Sequence, residues 1–425
     1  MNANTTTRFD YAAKFASFAG KTLFEQLPSH QQEFLQRLAF EQRFTFQEFR
    51  QVVEACRDLS MWGEGDLAAW WQRHAVQTGN RNGQLKKQLL AELQAELAAL
   101  RQAPKTYPLI PLTRPKQREK SLITVKDSDK TIFGMCPVAS EKTVCCNLHT
   151  IDAVENCIFG CSYCSIQTFY SDEIVFDERF AEKLAALELE PGRFYHIGTG
   201  QSSDSLAWGN RHSILDALCR FAADHPSILL ELKTKSDNIR YFLEAEVPAN
   251  LVISWSLNTP TIIANEEHFT ASLEKRLAAA RQAAERGIGV AFHFHPMVYY
   301  DKWQEDYPAI AAGLLQRFDP AEVRFISFGS VTLIKPVLQK MRALGHATKI
   351  SQMEMVPDPH GKLTYPDEIK VAMFRRMYQA FAPWHSEVFF YLCMEKAGIW
   401  EQSFGYVYPD NETFETEFGR RTMRR

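Results

Sequence analysis

The stretch NLHTIDAVENCIFGCSYCSIQTFY, residues Asn147–Tyr170, decides the fold class and the chemistry of this chain of 425 residues. Its first part, Asn147–Asp152, is a short, partly β-branched run that predicts a strand. The loop that follows carries Cys157, Cys161 and Cys164, three thiols within eight residues. Three cysteines at this spacing after a strand indicate a metal site with thiolate ligands.

The number of thiols favours an iron–sulfur cluster over zinc. Structural zinc usually takes four protein ligands, whereas a [4Fe–4S] cluster on three cysteines keeps one iron open for a ligand. The remaining cysteines of CPVASEKTVCC leave three interpretations open: a second cluster, a redox-active thiol, or buried thiols without a role. For a zinc site, the candidates for the fourth ligand are Cys136, Cys145, Cys146 and His149.

Six strand-and-helix repeats surround this motif and predict an α/β fold with a parallel sheet and right-handed crossovers. The predicted strands are Asn147–Asp152, Phe194–Gly198, Ile228–Lys233, Leu251–Leu257, Gly289–His295 and Val323–Phe328. The predicted helices are Asp177–Leu189, Ser213–Ala223, Asn238–Glu244, Ser272–Glu285, Tyr307–Arg317 and Lys335–Leu344. A flat doubly wound sheet and an incomplete (β/α) barrel share this pattern, and both place their site at the carboxyl ends of the strands.

The sequence predicts further parts on either side of these repeats. Residues 1–105 form a small helical domain, in which Thr45 and Glu48 make a capping box and Gly83–Ala103 is an amphipathic helix. Residues 106–130 are a linker rich in proline and basic side chains. Residues 131–360 form the barrel, and residues 361–425 form a helix and strand extension packed on it.

Composition places the chain among ordinary globular enzymes, with 45% hydrophobic residues, 23% charged residues and a formal net charge of -3. The first residues lack the apolar core of a signal peptide, and no run of about 18 apolar residues occurs. We therefore expect a cytoplasmic protein without a membrane partner. In that reducing compartment, clustered cysteines indicate metal binding rather than disulfides.

The pattern Cys157-x3-Cys161-x2-Cys164 resembles the radical S-adenosylmethionine (SAM) superfamily, and the likeness extends over about Asn147–Phe328. The order of further motifs resembles the spore photoproduct lyase family. These motifs are CIFGCSYCSIQT, GTGQSSDSLAW, ELKTKSDNIRYFL, SWSLNT and EKRLAAARQAAERGIGVAFHFHPM. The resemblance implies an incomplete (β/α)6 barrel, a [4Fe–4S] cluster, and cleavage of SAM to a 5′-deoxyadenosyl radical. It further implies a carbon–carbon lyase that reverses a UV-induced thymine lesion in DNA.

The same resemblance implies where SAM would bind. Ser202, Ser203 and Asp204 would lie near its amino group, and Lys235 would pair with its carboxylate. Two further residues, Ser256 and Asn258, would line the ribose side. Hydroxyls, amides and one lysine at strand ends also suit a zwitterionic ligand on chemical grounds.

The catalytic candidates are Tyr163, Tyr299 and His295. Tyr163 occupies the aromatic position before the third cysteine of the motif. His295 and His293 alternate with phenylalanines and point to one face of their strand, either as functional imidazoles or as a hydrogen-bonded core pair. His196 is a further candidate for this group.

Two positions depart from the lyase family. Gln201 stands where the family has a hydrogen-donating cysteine, and Ser165 stands where it has a second tyrosine. Candidate substitutes for the donor are Tyr299, Tyr300, one of the additional cysteines, or return of hydrogen from 5′-deoxyadenosine itself.

The expected partners are a DNA or nucleotide substrate and a reducing donor such as flavodoxin or ferredoxin. Two alternatives stay open: a radical SAM enzyme for a modified nucleotide, peptide or metabolite, and a non-catalytic iron–sulfur or zinc protein that binds nucleic acid. Candidate contacts to DNA are Arg211, Lys302, Trp303, Lys335 and the terminal RRTMRR.

Overall fold

The computed structural model describes residues 4–78, 84–108, 122–128, 130–136, 142–166 and 173–423, except for the side chains of residues 4–10, 77 and 78. Helices and strands are numbered along the chain. The helices are α1 (Asn4–Ala19), α2 (Ser29–Gln42), α3 (Phe46–Trp62), α4 (Leu67–Thr78), α5 (Gln84–Gln102), α6 (Phe180–Ala185), α7 (Ile214–Asp224), α8 (Arg240–Glu244), α9 (Pro260–Glu266), α10 (Leu273–Glu285), α11 (Trp303–Arg317), α12 (Lys335–Leu344), α13 (Asp367–Ala380), α14 (Ala397–Phe404) and α15 (Asn411–Thr422).

The strands are short except in one large sheet. They are β1 (Leu122–Lys126), β2 (Phe133–Met135), β3 (His149–Ile151), β4 (Val154–Glu155), β5 (Gly160–Cys161), β6 (Glu173–Asp177), β7 (Tyr195–Thr199), β8 (Ile228–Thr234), β9 (Leu251–Ser256), β10 (Glu267–His268), β11 (Gly289–Met297), β12 (Val323–Ser330), β13 (Thr332–Leu333), β14 (Val356–Pro357), β15 (Leu363–Thr364) and β16 (Phe389–Leu392). No helix in the described ranges is both long enough and apolar enough to cross a membrane.

The chain divides into two compact units. One combines Met1–Pro115 with Lys335–Glu354, and the other combines Lys116–Ile334 with Met355–Arg425. The first unit is helical, as predicted, and the capping box of Thr45 and Glu48 is present at the start of α3. Burial of the apolar faces of α2, α3 and α5 forms its core.

The first unit also includes a segment from much later in the chain. We predicted that the helix Lys335–Leu344 belongs to the barrel, but the contacts of α12 and the turn after it place them with the N-terminal helices. The Thr348 amide donates to the Met61 carbonyl oxygen at 2.9 Å, and the Trp62 indole N–H donates to Ser351 Oγ at 3.0 Å. Helical periodicity indicates an apolar face but not the surface it packs on, so this assignment required the tertiary contacts.

The second unit is built on an eight-stranded sheet in the order β16-β12-β11-β9-β8-β7-β3-β2. Every neighbouring pair is parallel except β2 with β3, which is antiparallel. The six predicted strands are therefore confirmed, and EVFFYLCM contributes β16 as a seventh parallel strand at the edge. Strands β7, β8 and β9 are buried along almost their whole length, which explains their continuous apolar sequences.

The predicted linker, residues 106–130, lies partly outside the described residues. Its described end forms β1, which pairs in parallel with β6 from Leu122 opposite Glu173 to Lys126 opposite Asp177. This part of the stretch is a strand of a small sheet, because its β-branched residues find a partner far along the chain. The other domain boundaries given above stay predictions.

Candidate active site

The loop with the three cysteines follows β3 and is anchored by a short pair of strands. β5 pairs antiparallel with β10, and Cys161 lies opposite Glu267. The Ser162 amide donates to the Glu266 carbonyl oxygen at 2.8 Å, and the Cys164 amide donates to the Cys161 carbonyl oxygen at 3.1 Å. The backbone that carries two of the three thiols is therefore attached to the segment after α9.

A buried ion pair lies directly behind this loop. The Arg276 guanidinium contacts the Glu267 carboxylate at 2.6 Å, and both side chains are almost fully buried. Arg276 also donates to the carbonyl oxygens of Ser256 at 2.7 Å and Ala271 at 2.9 Å. A well hydrogen-bonded guanidinium can be buried, and here it joins β10, the strand that pairs with the cysteine loop, to the end of β9.

Tyr163 belongs to the same network. Its hydroxyl donates to Glu267, and burial together with the Glu267 charge holds the pKa of this phenol well above its ordinary value. Burial alone would raise the pKa of Glu267, but the Arg276 and Lys235 charges outweigh it and lower that pKa. Tyr163 is therefore a neutral donor to a carboxylate, and its ring lies 5.9 Å from the Lys235 ammonium.

The thiols are a suitable donor set for an iron–sulfur cluster. Burial raises the pKa of Cys157 well above its ordinary value and that of Cys161 to about 12, and the charges of neighbouring cysteines add to both shifts. Three sulfur ligands on one short loop match the soft ligands that such clusters take. Within the described ranges, no group of three Cys, His, Asp or Glu side chains has the geometry to hold a metal ion.

The two serines and the aspartate after β7 differ in whether their polar side-chain atoms are already hydrogen-bonded within the protein. Ser202 Oγ donates to Asp152 Oδ1 at 2.9 Å and lies 2.9 Å from the Val154 carbonyl oxygen. The Asp204 carboxylate accepts from Thr234 Oγ1 at 2.8 Å, from the Lys235 amide at 2.7 Å and from two further amides. Asp204 therefore ties β7 to β8 and has its hydrogen-bonding capacity largely used within the protein.

Ser203 is the member of this group with an unused polar atom. Among the described residues, neither its buried Oγ nor the indole N–H of Trp208 has a hydrogen-bond partner. Both residues line one pocket beside Gly200 at the end of β7. Unpaired buried donors are unfavourable, so this pocket suits a polar ligand or water.

The three remaining predicted SAM contacts lie near the ion pair. The Lys235 carbonyl oxygen accepts from the Ala271 amide at 3.0 Å, and Ser256 ends β9 beside Arg276. The Asn258 side chain is already engaged, because its Oδ1 accepts from Tyr307 at 2.7 Å and its Nδ2 donates to the Pro296 carbonyl oxygen at 3.1 Å. The structure thus brings Lys235 and Ser256 to the cysteine loop, whereas Asn258 supports the surrounding loops.

A second buried charge network lies on one face of the large sheet. Glu231 on β8 hydrogen-bonds both His196 Nε2, at 2.8 Å, and His293 Nε2, and it lies 3.5 Å from Lys233 Nζ. His293 is also hydrogen-bonded to Ser327 on β12. His293 is thus a hydrogen-bonded core residue, but its partners are Glu231 and Ser327 rather than His295.

His295 differs from His293 because its ring lies against Gly329. A Cβ atom at position 329 would approach the His295 ring to 2.8 Å, so glycine provides the space for this imidazole. Burial, with smaller effects from His293 and two lysines, lowers the pKa of His295 to about 3. The ring is therefore neutral at physiological pH.

This shift predicts an acid-sensitive contribution to stability. Below the unfolded pKa of about 6.5, the unfolded chain binds a proton that folded His295 does not bind, so stability falls as the pH falls. Between about pH 7 and pH 5, His295 should remove about 2 kcal/mol from the free energy of unfolding. Urea denaturation at both pH values should show this loss in the native chain.

A matched pair of variants isolates that contribution. His295→Gln should reduce the loss between the two pH values by about 2 kcal/mol, whereas replacement of the exposed His360 by glutamine should leave it unchanged. An identical pH dependence for native protein and His295→Gln would show that the imidazole is not held neutral.

The two tyrosines after β11 have different surroundings. Tyr300 is buried, and its hydroxyl bonds Thr259 at 3.0 Å and Asp306. Tyr299 is half-buried, with its ring 6.3 Å from that of Tyr365 and 6.2 Å from that of Trp303. Of these two candidate donors, Tyr299 is the more accessible.

The predicted basic residues have different local surroundings. Arg211 lies over the rings of Phe176 and Trp208, and Lys335 belongs to the other unit. Arg420 pairs with Glu417. The last two arginines of RRTMRR lie outside the described residues. A basic DNA-binding groove therefore stays a prediction.

The sequence reasoning missed Glu231, Glu267 and Arg276 as supporting residues. One signal was available for Glu231, which interrupts the apolar strand ILLELKT with an ionisable side chain. Arg276 lies on the buried face of α10, where helical periodicity expects an apolar residue. Glu267 carried no such signal, because it lies in a short segment without clear periodicity.

Comparison with known proteins agrees with this arrangement. Residues 145–335, from before β3 to the first residue of α12, match the family model described as spore photoproduct lyase. This segment is a radical SAM domain of the spore photoproduct lyase-like family. The family predicted from the cysteine motif and the order of the later motifs is thus confirmed.

The curated relatives of this lyase-like domain are distant. The spore photoproduct lyase of Clostridium acetobutylicum is 29% identical over 92 residues, which are 22% of this chain and 27% of the relative. That of a Geobacillus strain is 21% identical over 186 residues, which are 42% of this chain and 54% of the relative. The chain thus spans between about a quarter and about half the length of these relatives.

Solved structures show the fold of the lyase-like domain. A spore photoproduct lyase variant with bound AdoMet and dinucleoside spore photoproduct has a TM-score of 0.55 at 18% identity, covering 71% of this chain and 94% of that one. A lyase complexed with dinucleoside spore photoproduct gives 0.54 at 18% identity, with the same coverage. The predicted incomplete (β/α) barrel with a helical region before it is therefore confirmed.

Proposed function

We propose that the chain is a radical SAM enzyme of the spore photoproduct lyase type, acting on a UV-damaged thymine or a related nucleobase in DNA. One observation carries the proposal: the three-cysteine loop of a lyase-like domain is held to β10 by strand pairing, and the buried pair of Glu267 and Arg276 anchors β10 to α10. A preorganised site requires such support behind its ligands.

Different residues of this chain would bind the cluster, contact SAM and position the strand ends. Cys157, Cys161 and Cys164 would hold a [4Fe–4S] cluster, which supplies the electron for reductive cleavage of SAM to a 5′-deoxyadenosyl radical. Ser203, Lys235 and Ser256 supply a hydroxyl, an ammonium and a second hydroxyl for SAM. Ser202, Asp204 and Asn258, also predicted as SAM contacts, act mainly by positioning the strand ends through the hydrogen bonds described above.

The substrate and the partners rest on the relatives. Solved lyases have been obtained with dinucleoside spore photoproduct, so a damaged pyrimidine pair in DNA is the first substrate to test. Within this proposal Tyr163, Tyr299 and His295 are the catalytic candidates: Tyr163 beside the cysteine loop, half-buried Tyr299 as a hydrogen donor, and His295 as a neutral imidazole. A flavodoxin or ferredoxin would supply the electron.

A second candidate keeps the chemistry and changes the substrate to a modified nucleotide, a peptide or a metabolite. Gln201 and Ser165 favour it, because the lyase family has a cysteine and a tyrosine at these positions. Ser165 Oγ instead donates to the Thr332 carbonyl oxygen at 2.9 Å.

The decisive experiment is anaerobic reconstitution with iron and sulfide, followed by addition of dithionite and SAM. We expect 5′-deoxyadenosine from the native chain, and loss of lesions when UV-irradiated DNA is supplied. Cys161→Ala should lose at least about 100-fold of the SAM cleavage, because an iron–sulfur cluster needs each of its thiolates. Cys219→Ala, which changes a buried thiol on α7, should retain it.

Each result separates the candidates. Cleavage of SAM with untouched lesions would move the substrate to the second candidate. Zinc instead of iron, with no cleavage, would indicate the non-catalytic nucleic-acid-binding protein.

A further inference from the structure

One face of the large sheet carries a row of ionisable side chains. Glu231 on β8 hydrogen-bonds His196 on β7 and His293 on β11, so these three side chains share that face. On the opposite face, the rings of Phe292 and Phe294 pack against aromatic residues at the ends of α11 and α13. Because helices surround the outside of a (β/α) barrel, the face with Glu231 is the inner one. We call it the inner face.

The inner face is accessible near the carboxyl ends of three strands. In β8, β9 and β11 every residue is buried except one in each strand, which is partly exposed. These three residues are Lys233, Ser256 and His295. Alternation along each strand places Lys233 with Glu231, and His295 with His293, on the inner face, and Ser256 pairs with His293 across the sheet. All three partly exposed side chains therefore face the inside of the barrel.

Two glycines of the inner face lie against two of these side chains. A Cβ atom at position 329 would approach the His295 ring to 2.8 Å, so only glycine leaves room for this imidazole. At Gly198, which pairs with Glu231, the same construction comes within 3.4 Å of Lys233 Cε. The lysine side chain thus runs across the neighbouring strand. The sheet itself places the ammonium and the imidazole on its accessible part.

The polar atoms of this part have hydrogen-bonding capacity left for a ligand. Lys233 Nζ lies 3.5 Å from the Glu231 carboxylate, and 24% of its side chain is exposed. Among the described residues, the His295 ring makes no hydrogen bond. Ser254, which pairs with Lys233 in the register, has a buried hydroxyl that lacks a partner in the described part of the chain. An unpartnered buried hydroxyl is unfavourable, so these groups suit a ligand with several polar atoms.

The charges favour a neutral ligand over an anion. The Glu231 carboxylate compensates the Lys233 ammonium. Burial lowers the pKa of His295 to about 3, so this ring carries no charge at physiological pH. Lys235, the other nearby lysine, is engaged by the SAM carboxylate in the proposed function. An ammonium is only a donor, whereas a neutral imidazole has one nitrogen that accepts. The pair therefore matches a ligand whose acceptor and donor lie side by side.

We propose that Lys233 and His295, with Ser254 beside them, bind the imide edge of a thymine-type base. This subsite rests on the proposed function and names the part of the substrate that is recognised. The Lys233 ammonium donates to a carbonyl oxygen of the base, and His295 accepts a hydrogen bond from the N–H next to that carbonyl. The Ser254 hydroxyl is available to the second carbonyl oxygen. Cytosine has no N–H at this ring position and phosphate has no donor, so neither matches the subsite.

The native chain provides the first test. Reconstituted protein with SAM, but without a reductant, is titrated anaerobically with dinucleoside spore photoproduct by calorimetry. The same compound methylated at its imide nitrogens is the comparison, because methylation removes the donor and leaves the charge unchanged. We expect the methylated compound to bind about 10- to 100-fold more weakly. Equal affinities, or no binding of the unmethylated compound, would overturn the proposal.

Variants assign this discrimination to the subsite. His295→Leu, which has no acceptor, should bind both compounds alike. His295→Gln should keep part of the preference for the unmethylated compound, because its amide oxygen still accepts. Lys233→Met should weaken both compounds about tenfold. The control Lys275→Met, on the exposed side of α10, should bind as the native chain does.

The subsite and the proposed function fail in different ways. Undiminished discrimination in His295→Leu would show that another part of the chain recognises the imide, and it would overturn the subsite even if SAM is cleaved and lesions are lost. Because the titration supplies no electron, its result does not depend on the radical step. The native-chain comparison stays decisive if a variant folds poorly.

Discussion

Replacing Arg276 by methionine is expected to lower the free energy of unfolding of the second unit, which contains the large sheet, by about 3–5 kcal/mol. The substitution keeps much of the side-chain volume but leaves the Glu267 carboxylate buried without its cation. It also removes the donors to the carbonyl oxygens of Ser256 and Ala271. Since β10 carries Glu267 and pairs with β5, the cysteine loop should lose its anchor as well.

Two measurements check this expectation. Urea unfolding gives the change in the free energy of unfolding. The amount of iron bound per chain after reconstitution shows whether the cysteine loop still binds its cluster. The control is Arg281→Met on the same helix, whose ion pair with Glu322 is about a quarter exposed on each side. That variant should lose no more than about 1 kcal/mol and should retain iron. Similar losses in both variants would show that the buried pair has no special role.

Replacing Glu231 by leucine is expected to produce the second large loss, again about 3–5 kcal/mol. Glu231 is fully buried and is the shared partner of His196, His293 and Lys233. Burial would raise its pKa, but the Lys233 charge and the two histidines outweigh this and hold the pKa well below its ordinary value. Its stabilising effect is therefore present above the ordinary glutamate pKa of about 4.3 and lost as the pH falls below it.

Glu231→Gln tests whether charge or hydrogen bonding matters more. Glutamine can still hydrogen-bond both imidazoles, but it leaves the Lys233 charge without compensation. An intermediate loss is expected in thermal unfolding at neutral pH. The difference in stability between the native chain and Glu231→Gln should narrow below about pH 4, where the unfolded native chain takes up a proton that the folded chain does not. A loss with glutamine as large as with leucine would show that charge alone stabilises this network.

The local sequence was sufficient to predict the repeating strands of the large sheet. The six predicted strands appear as β3, β7, β8, β9, β11 and β12, because fully buried parallel strands have continuous apolar sequences. The cysteine spacing was equally informative, because one short loop must supply all three thiols. Helix ends were less well predicted, as the short α6 (Phe180–Ala185) shows against the expected Asp177–Leu189.

The site was predicted only in part, since a residue type does not reveal which of its atoms are already bonded. Ser203 keeps a buried hydroxyl without a partner in the described part of the chain, while Asp204 and Asn258 are engaged within the protein. His293 and His295 share a strand face, yet one is bonded to Glu231 and the other packs on Gly329.

By itself, the sequence determined that this is an α/β chain with a three-thiol loop after its first parallel strand, because hydrophobic period and ligand spacing are local properties. The tertiary structure alone decided which distant residues meet. It paired Glu267 with Arg276, attached α12 to the N-terminal helices, and placed Val144 beside Glu395. These contacts depend on how strands and helices pack across long stretches of chain, and no local pattern specifies that packing.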